Sequence, residues 1–123
     1  MDKYKLLNGG DLAFIGDAYL ELCIRKYILD KGITSLSSLH NECVKYVSRT
    51  SQYKIIKKLI DELTEEEIEI FKRGRNYNYK DKSLEYVNAS GFEALIGYLY
   101  LTKNEDRLNF IIKRSIQIVE ELN

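Results

Sequence analysis

The sequence contains no proline, one histidine and two cysteines, and its formal net charge is zero. Because proline interrupts helices, its absence, together with abundant Leu, Ile, Lys and Glu, favours an all-helical fold. A mechanism that needs two histidines is excluded, because His40 is the only histidine in the sequence. Cys23 and Cys43 lack the close spacing of a metal or redox pair, which indicates reduced thiols and a cytoplasmic protein.

The chain also lacks long apolar runs. No stretch reaches the about 18 consecutive apolar residues of a membrane span, and the N-terminal MDKYKLLNGG has no signal-peptide core. We therefore expect a soluble protein without a membrane partner. With 123 residues, the chain is long enough for one hydrophobic core and is predicted to form a single domain over residues 1–123.

Apolar residues recur at spacings of three and four, which predicts about six helices, no strands and a helical bundle. The first helix is expected over about residues 11–29, with Gly32 as a stop, the second from Ser35 through Val47, and the third from Ile55 to Leu63. The fourth is expected to begin at a capping box formed by Thr64 and Glu67 and to end by Gly74. The fifth covers about residues 90–102, and the sixth follows Asn104 as its N-cap. Residues 74–89 show no helical period and are predicted to form the one substantial loop.

Two of the predicted helices are apolar on nearly every face, and each holds one conspicuous carboxylate. LAFIGDAYLELCIRKYIL (12–29) carries Asp17, and SGFEALIGYLYLT (90–102) carries Glu93. We expect both helices to be buried, where an ionised carboxylate is costly unless a cation, a proton or hydrogen bonds compensate it. Small residues beside both acids would allow the two helices to approach closely; they are Gly16, Ala18, Ala94 and Gly97.

Asp17 and Glu93 are therefore candidate ligands of one shared divalent ion. Oxygen ligands without a His or Cys cluster favour Mg²⁺, with Mn²⁺ as an alternative, over zinc. The competing interpretation of each acid is a helix cap or a core salt bridge. Glu21 and Arg25 lie four residues apart, which favours an ion pair within the helix over a catalytic role.

Four segments resemble those of a known family. LAFIGDAYLELCIR resembles the signature helix of the ribonuclease III endonuclease domain, SGFEALIGYLYL resembles its second acidic motif, and LHNECVKYVSRTSQ and FKRGRNYN are similar to segments of the small branch called Mini-ribonuclease III. This resemblance spans about residues 10–112. It implies an all-α homodimer that cleaves double-stranded RNA with Mg²⁺, leaves 5′-phosphate and 3′-hydroxyl ends, and matures 23S ribosomal RNA. A ribosomal protein that presents this RNA is a further candidate partner, and no separate double-stranded-RNA-binding domain is expected.

The resemblance assigns roles to two acids: Asp17 and Glu93 are the catalytic residues and metal ligands. Glu21, one turn from Asp17, is expected from its position to help orient them. Other family acids do not carry over, because carboxylates of the larger members are replaced by Gly10, Ala13 and Ser90, as in the small branch. Water and RNA phosphate oxygens would complete the coordination, and the number of ions stays open.

The basic stretch KRGRNYNYKDK (72–82) follows the acidic stretch DELTEEEIE, so the neutral total conceals two charged regions. With the resemblance, the expected RNA-binding residues are Arg73, Arg75, Asn76 and Lys80, which suit the phosphates and 2′-hydroxyls of an A-form duplex. Without it, these cations merely offset a helix dipole beside a solvated loop. Two other functions stay open: a catalytically silent protein that binds structured ribosomal RNA, and a helical dimerisation module.

Overall fold

Six α-helices make up most of the described chain, which comprises residues 3–123 of a computed structural model and contains no β-strand. The helices are α1 (Gly9–Asp30), α2 (Leu36–Val47), α3 (Arg49–Leu59), α4 (Glu65–Arg75), α5 (Leu84–Leu101) and α6 (Glu105–Leu122), with short 3₁₀ turns over Lys3–Leu6 and Ile60–Glu62. The predicted all-α fold is confirmed.

Helix α5 is the centre of the bundle. Its residues from Ala89 to Leu99 are all buried except Glu93, which is half-buried. Helices α1, α3 and α4 pack against it, α1 most extensively, and α6 closes the bundle with a buried apolar stripe that includes Leu108 and Ile111. The helix that carries Glu93 is therefore buried, as predicted.

Short polar side chains determine where the helices begin. Asn8, Ser35 and Ser48 cap α1, α2 and α3, each by accepting the backbone N–H three residues further on. Thr64 forms the predicted capping box at the start of α4. Asn104 stands at the N-cap of α6, but its side chain makes no capping hydrogen bond.

The loop before α5 is shorter than predicted. It covers residues 76–83 rather than 74–89, because α4 and α5 both extend into the predicted range. Ser83 caps α5 by accepting the backbone N–H of Tyr86 at 3.2 Å. Since Leu84 is 67% exposed, the first turn of α5 has no buried apolar face, and hydrophobic periodicity does not reveal it.

Helix α1 is buried on one side only, and the prediction that it is buried all round is wrong. The buried side faces the bundle with Leu12, Leu20, Ile24 and Ile28. In contrast, Phe14 is 81% exposed, Leu22 66% and Leu29 56%, and at about 100° per residue these three side chains fall within about 80° of one another. We call Phe14, Leu22 and Leu29 the α1 apolar face.

Helix α4 carries opposite charges at its two ends. Its first turn holds Glu65, Glu66 and Glu67, and its last turn holds Lys72, Arg73 and Arg75. Each sign complements the partial charge of the helix end at which it lies. Glu67 is also buried, and it binds Arg107 of α6 with an Oε1 to Nη2 distance of 2.7 Å, which ties α4 to α6.

Both cysteines are free thiols, and burial raises the pKa of each. This agrees with the prediction of reduced thiols that pack as small apolar groups. Across residues 3–123, no helix is both long and apolar enough to traverse a lipid bilayer.

Candidate active site

Helices α1 and α5 touch backbone to backbone beside the two acids. A Cβ atom added at Gly16 would lie 1.7 Å from the backbone oxygen of Glu93, and one added at Gly97 would lie 2.1 Å from that of Leu12. The predicted close approach is confirmed for these two glycines. The other two small residues are not at this contact. Ala18 is exposed, and Ala94 faces α4, because a Cβ atom added at Gly74 would lie 2.4 Å from the Cβ atom of Ala94.

Beside this contact, Asp17 lies close enough to Glu93 to act on the pKa of the Glu93 carboxyl group. Burial, followed by the hydrogen bond and charge of Asp17, raises the pKa of Glu93 to about 8. Asp17 itself is exposed, contrary to the expectation of a buried acid, because it lies at the edge of the side of α1 that the bundle covers. The two acids therefore converge at an opening to solvent.

A third helix reaches the pair through Gln52 of α3. Its side chain is 2% exposed, and Nε2 donates to Glu93 Oε2 at 3.2 Å and to the Val47 carbonyl at 2.9 Å. The bond to Glu93 favours the ionised carboxylate and lowers its pKa, in opposition to burial and Asp17. Among the described residues, Gln52 Oε1 has no hydrogen-bond partner.

Arg49, the first residue of α3, adds a positive charge to the same region. Its guanidinium carbon lies 4.2 Å from the ring centroid of Tyr86 on α5. The charge of Arg49 lowers the pKa of Glu93. The acids are thus bordered by one buried amide and one exposed guanidinium.

Sequence reasoning missed both Gln52 and Arg49. Gln52 left a signal, because it lies three, four and seven residues before Ile55, Ile56 and Leu59, on the apolar face of its helix. A polar residue within an apolar stripe is the same signal that identified Glu93. Arg49 left no such signal, because its position depends on how α3 crosses α5.

The predicted residue Glu21 lies one turn beyond Asp17 on α1. It forms the expected ion pair with Arg25, whose Nε donates to Glu21 Oε2 at 3.1 Å. Since Arg25 is itself exposed, this pair lies at the surface and leaves Asp17 without a cation of its own on α1. His40, on α2, is exposed.

The four predicted RNA-binding residues lie at the last turn of α4 and in the loop that follows. Arg73 is half-buried and donates from Nη1 to the Leu7 carbonyl at 3.3 Å. Arg75 donates from Nε to Asn76 Oδ1 at 3.1 Å, and both Asn76 and Lys80 are exposed. Arg73 therefore stabilises the N-terminal segment. Arg75 is half-buried like Arg73, and only Asn76 and Lys80 are fully open to solvent.

The basic end of α4 lies close to the acid pair. A Cβ atom added at Gly74 would lie 2.9 Å from Gly91 Cα and 3.1 Å from the Ser90 carbonyl, on the turn of α5 that precedes Glu93. Tyr79 fixes the loop after α4, because its hydroxyl donates to the Gly74 carbonyl at 2.8 Å. Positive charge and the two acids consequently share one region of the molecule.

The acid pair fits a hard divalent ion. Burial and the neighbouring charge of Asp17 disfavour the ionised form of Glu93, and a shared cation would offset both effects. Carboxylate oxygens are suitable ligands of Mg²⁺ or Mn²⁺, which keep several waters in their coordination shell. Within the described range 3–123, no three or more His, Cys, Asp or Glu side chains form a metal-binding group, so no third side chain of these types joins the pair.

Comparison with known proteins identifies the family. The family model described as "Ribonuclease III domain" matches residues 10–104, which include both acids and Gln52. The chain belongs to the ribonuclease III family. Members of the ribonuclease III family depend on divalent metal ions and act on double-stranded RNA, and this chain is accordingly a double-strand-specific endoribonuclease.

Several relatives resemble this ribonuclease III family member over nearly its whole length. The Mini-ribonuclease 3 of Streptococcus pneumoniae is 43% identical, with 98% of this chain and 99% of the relative covered. That of a Thermoanaerobacter species is 45% identical, with 89% and 81% covered. A crystal structure of a Fusobacterium nucleatum protein superposes with a TM-score of 0.82 at 35% identity, over 95% of this chain and 98% of that one.

Proposed function

We propose that this chain is a Mg²⁺-dependent endoribonuclease whose metal ligands are Asp17 and Glu93. The observation that carries the proposal is the convergence of two carboxyl groups from α1 and α5, with the pKa of Glu93 raised to about 8. A divalent ion would offset both causes of that shift, first the burial of Glu93 and then the charge of Asp17. Mn²⁺ fits the same oxygen donors.

Each residue of the site has a distinct part in this proposal. Mg²⁺, when bound, supplies an activated water and neutralises charge at the scissile phosphate. Asp17 and Glu93 hold the ion, and Gln52 holds one oxygen of Glu93 in place through its amide. Glu21 contributes negative charge one turn below Asp17 while it remains paired with Arg25.

We further propose that the duplex lies across the basic end of α4, with contacts from Arg73, Arg75, Asn76 and Lys80. Gly74, which lies between Arg73 and Arg75, packs against Ser90 and Gly91, and this contact supports the placement. The names of the relatives support a role like that of the Mini-ribonucleases. The proposed substrate is a 23S ribosomal RNA precursor in the cytoplasm, presented by a ribosomal protein and cut to 5′-phosphate and 3′-hydroxyl ends.

We propose that the active form is a homodimer that pairs through the α1 apolar face. A duplex has two strands, and one site per chain cuts one of them. Phe14, Leu22 and Leu29 expose a large apolar surface on the helix that carries Asp17, and surfaces of this kind mark protein contacts. Pairing two copies through α1 would bring two acid pairs to one duplex.

The test is cleavage of duplex RNA with and without Mg²⁺ by the parent chain, Asp17→Asn and Glu93→Gln. Both substitutions conserve volume and remove a metal ligand, so each should lower the cleavage rate by more than about 100-fold. Asp11→Asn is the matched control, because Asp11 is an exposed acid on the same helix, and it should cut at the parental rate.

The outcomes separate this proposal from its alternatives. Cleavage by Asp17→Asn at the parental rate contradicts the metal-ligand assignment. A parent chain that binds the duplex without cutting it is a silent RNA-binding relative. A parent chain that neither binds nor cuts is a dimerisation module.

A further inference from the structure

The guanidinium of Arg49 is exposed and unpaired. It makes no hydrogen bond and no ion pair with any residue in the described range 3–123. Neighbouring acids already have other partners: Glu85 Oε2 accepts from the Thr50 hydroxyl at 2.9 Å, and Asp81 Oδ1 accepts from the backbone N–H of Ser83 at 2.8 Å. The donors of Arg49 are therefore available to a ligand.

Arg49 is nevertheless held in one place. Its guanidinium lies 4.2 Å from the centroid of the Tyr86 ring, and Tyr86 in turn makes an edge contact with Tyr79 at 5.3 Å between centroids. Stacking on an aromatic ring orients a guanidinium while leaving the N–H groups on its rim open. An immobilised side chain loses less conformational entropy when it binds.

The position of Arg49 connects it to the acid pair. Tyr86 precedes Glu93 by seven residues on α5, which places the two on the same face of that helix. Gln52, three residues after Arg49, hydrogen-bonds Glu93. The positive charge of Arg49 reaches Glu93 and lowers its pKa, although no ion pair joins Arg49 to either acid within residues 3–123.

We propose that Arg49 binds a backbone phosphate of the duplex beside the bond that is cut, with Tyr86 as the residue that positions its guanidinium. This inference rests on the proposed function, since it places the RNA at the opening between Asp17 and Glu93. A planar guanidinium binds two phosphate oxygens at once, which a lysine ammonium does not. Arg49 is thus a substrate-binding residue on a helix to which the sequence motifs assigned no RNA contact.

The experiment compares Arg49→Met, Arg49→Lys and Tyr86→Leu with the parent chain. Affinity for a short RNA duplex is measured by fluorescence anisotropy in EDTA over a series of salt concentrations, and cleavage is measured under single-turnover conditions with Mg²⁺. Lys57→Met is the matched control, because Lys57 is an exposed cation on α3 that lies 5.2 Å from the Tyr53 ring.

Arg49→Met should weaken duplex affinity by roughly tenfold and lower the salt slope by about one. Arg49→Lys should keep the parental salt slope and recover only part of the affinity, and Tyr86→Leu should weaken binding with the slope unchanged. Lys57→Met should match the parent in both. Circular dichroism confirms that each variant retains its helices.

The inference is overturned if Arg49→Met keeps the parental duplex affinity and salt slope. It is also overturned if Lys57→Met loses as much duplex affinity as Arg49→Met, because both cations would then act only through non-specific electrostatic attraction. Binding decides the role of Arg49, whereas cleavage by Asp17→Asn decides the proposed function. If Asp17→Asn loses cleavage while Arg49→Met binds normally, only the inference fails. A parent chain that does not bind the duplex overturns both.

Discussion

At the scale of single residues, Glu93 couples the site to folding. Its pKa of about 8 in the folded chain lies above the ordinary value of 4.5, because of burial and then Asp17. The folded state therefore binds a proton that the unfolded state releases between these two pH values. This contribution to stability is fully present below pH 4.5 and is lost as the pH rises through about 8.

We predict that metal-free Glu93→Gln is more stable than the parent at pH 8.5, by on the order of 2 kcal/mol once water access is taken into account. At pH 5 the two proteins should be nearly equal, since the neutral amide resembles the protonated acid. Urea unfolding in EDTA at both pH values measures the difference. Comparison with the parent cancels the titration of other groups, such as Glu67 and Glu120, whose lowered pKa values act in the opposite direction.

If the difference in the free energy of unfolding between Glu93→Gln and the parent is the same at both pH values, this account of Glu93 is contradicted. It would mean that the substitution acts through packing, since packing does not titrate. Glu69→Gln is a suitable control, because Glu69 is an exposed acid on α4, and it should show no such pH dependence.

Residue-level prediction succeeded where the chemistry is local. An acid within an apolar run and a glycine beside it are visible in the sequence, and Asp17, Glu93, Gly16 and Gly97 do meet. The exposure of Asp17 was not predictable, because it depends on which side of α1 the other helices cover.

At the scale of elements, the contact between α1 and α5 sets the spacing of the two acids. Gly16 and Gly97 each lie against the backbone of the opposite helix. A methyl group at either position meets a carbonyl that cannot move independently of its helix. The separation of the carboxyl groups therefore depends on backbone packing more than on side-chain rotation.

We predict that Gly16→Ala destabilises the chain by about 3 kcal/mol or more and strongly lowers cleavage, because the helices must separate. Gly10→Ala is the control on the same helix: its Cβ would lie 2.9 Å from the movable Tyr77 ring, so its cost should stay below about 1 kcal/mol. Thermal unfolding and cleavage rates measure both variants. Equal effects of the two substitutions would contradict the role given to the α1–α5 contact.

Element boundaries were predictable where a cap and an apolar face coincide. The capping box at Thr64 meets both conditions, and α4 begins there. The first turn of α5 has its Ser83 cap but no buried apolar face, so its start was placed too late. Hydrophobic period and capping are separate signals: α5 begins with a cap but without a buried apolar face, and α6 begins without a side-chain cap.

At the scale of the whole molecule, the α1 apolar face is the surface through which we propose that two copies pair. Periodicity treats apolar side chains that face a core and those that face a partner alike, which is why α1 was predicted to be buried all round. The exposure of Phe14, Leu22 and Leu29 shows which side of the helix a partner would cover.

We predict that the parent sediments as a dimer and that Phe14→Glu is a folded monomer with much reduced cleavage of both strands. A charge within an apolar interface is costly to bury. Leu84→Glu is the control, because Leu84 is an apolar residue with 67% exposure on α5, and it should stay dimeric. Analytical ultracentrifugation measures the oligomeric state of each protein. A parent chain that sediments as a monomer would contradict the proposed homodimer.

The opposite charges at the two ends of α4 give a protein of zero net charge an electric dipole. With acids in its first turn and cations in its last, a molecule of zero formal charge still experiences a torque near a polyanion. It turns its positive end toward the nucleic acid before contact, and this alignment weakens as salt shortens the reach of the field. Encounter rates should therefore depend on ionic strength more than the neutral total implies.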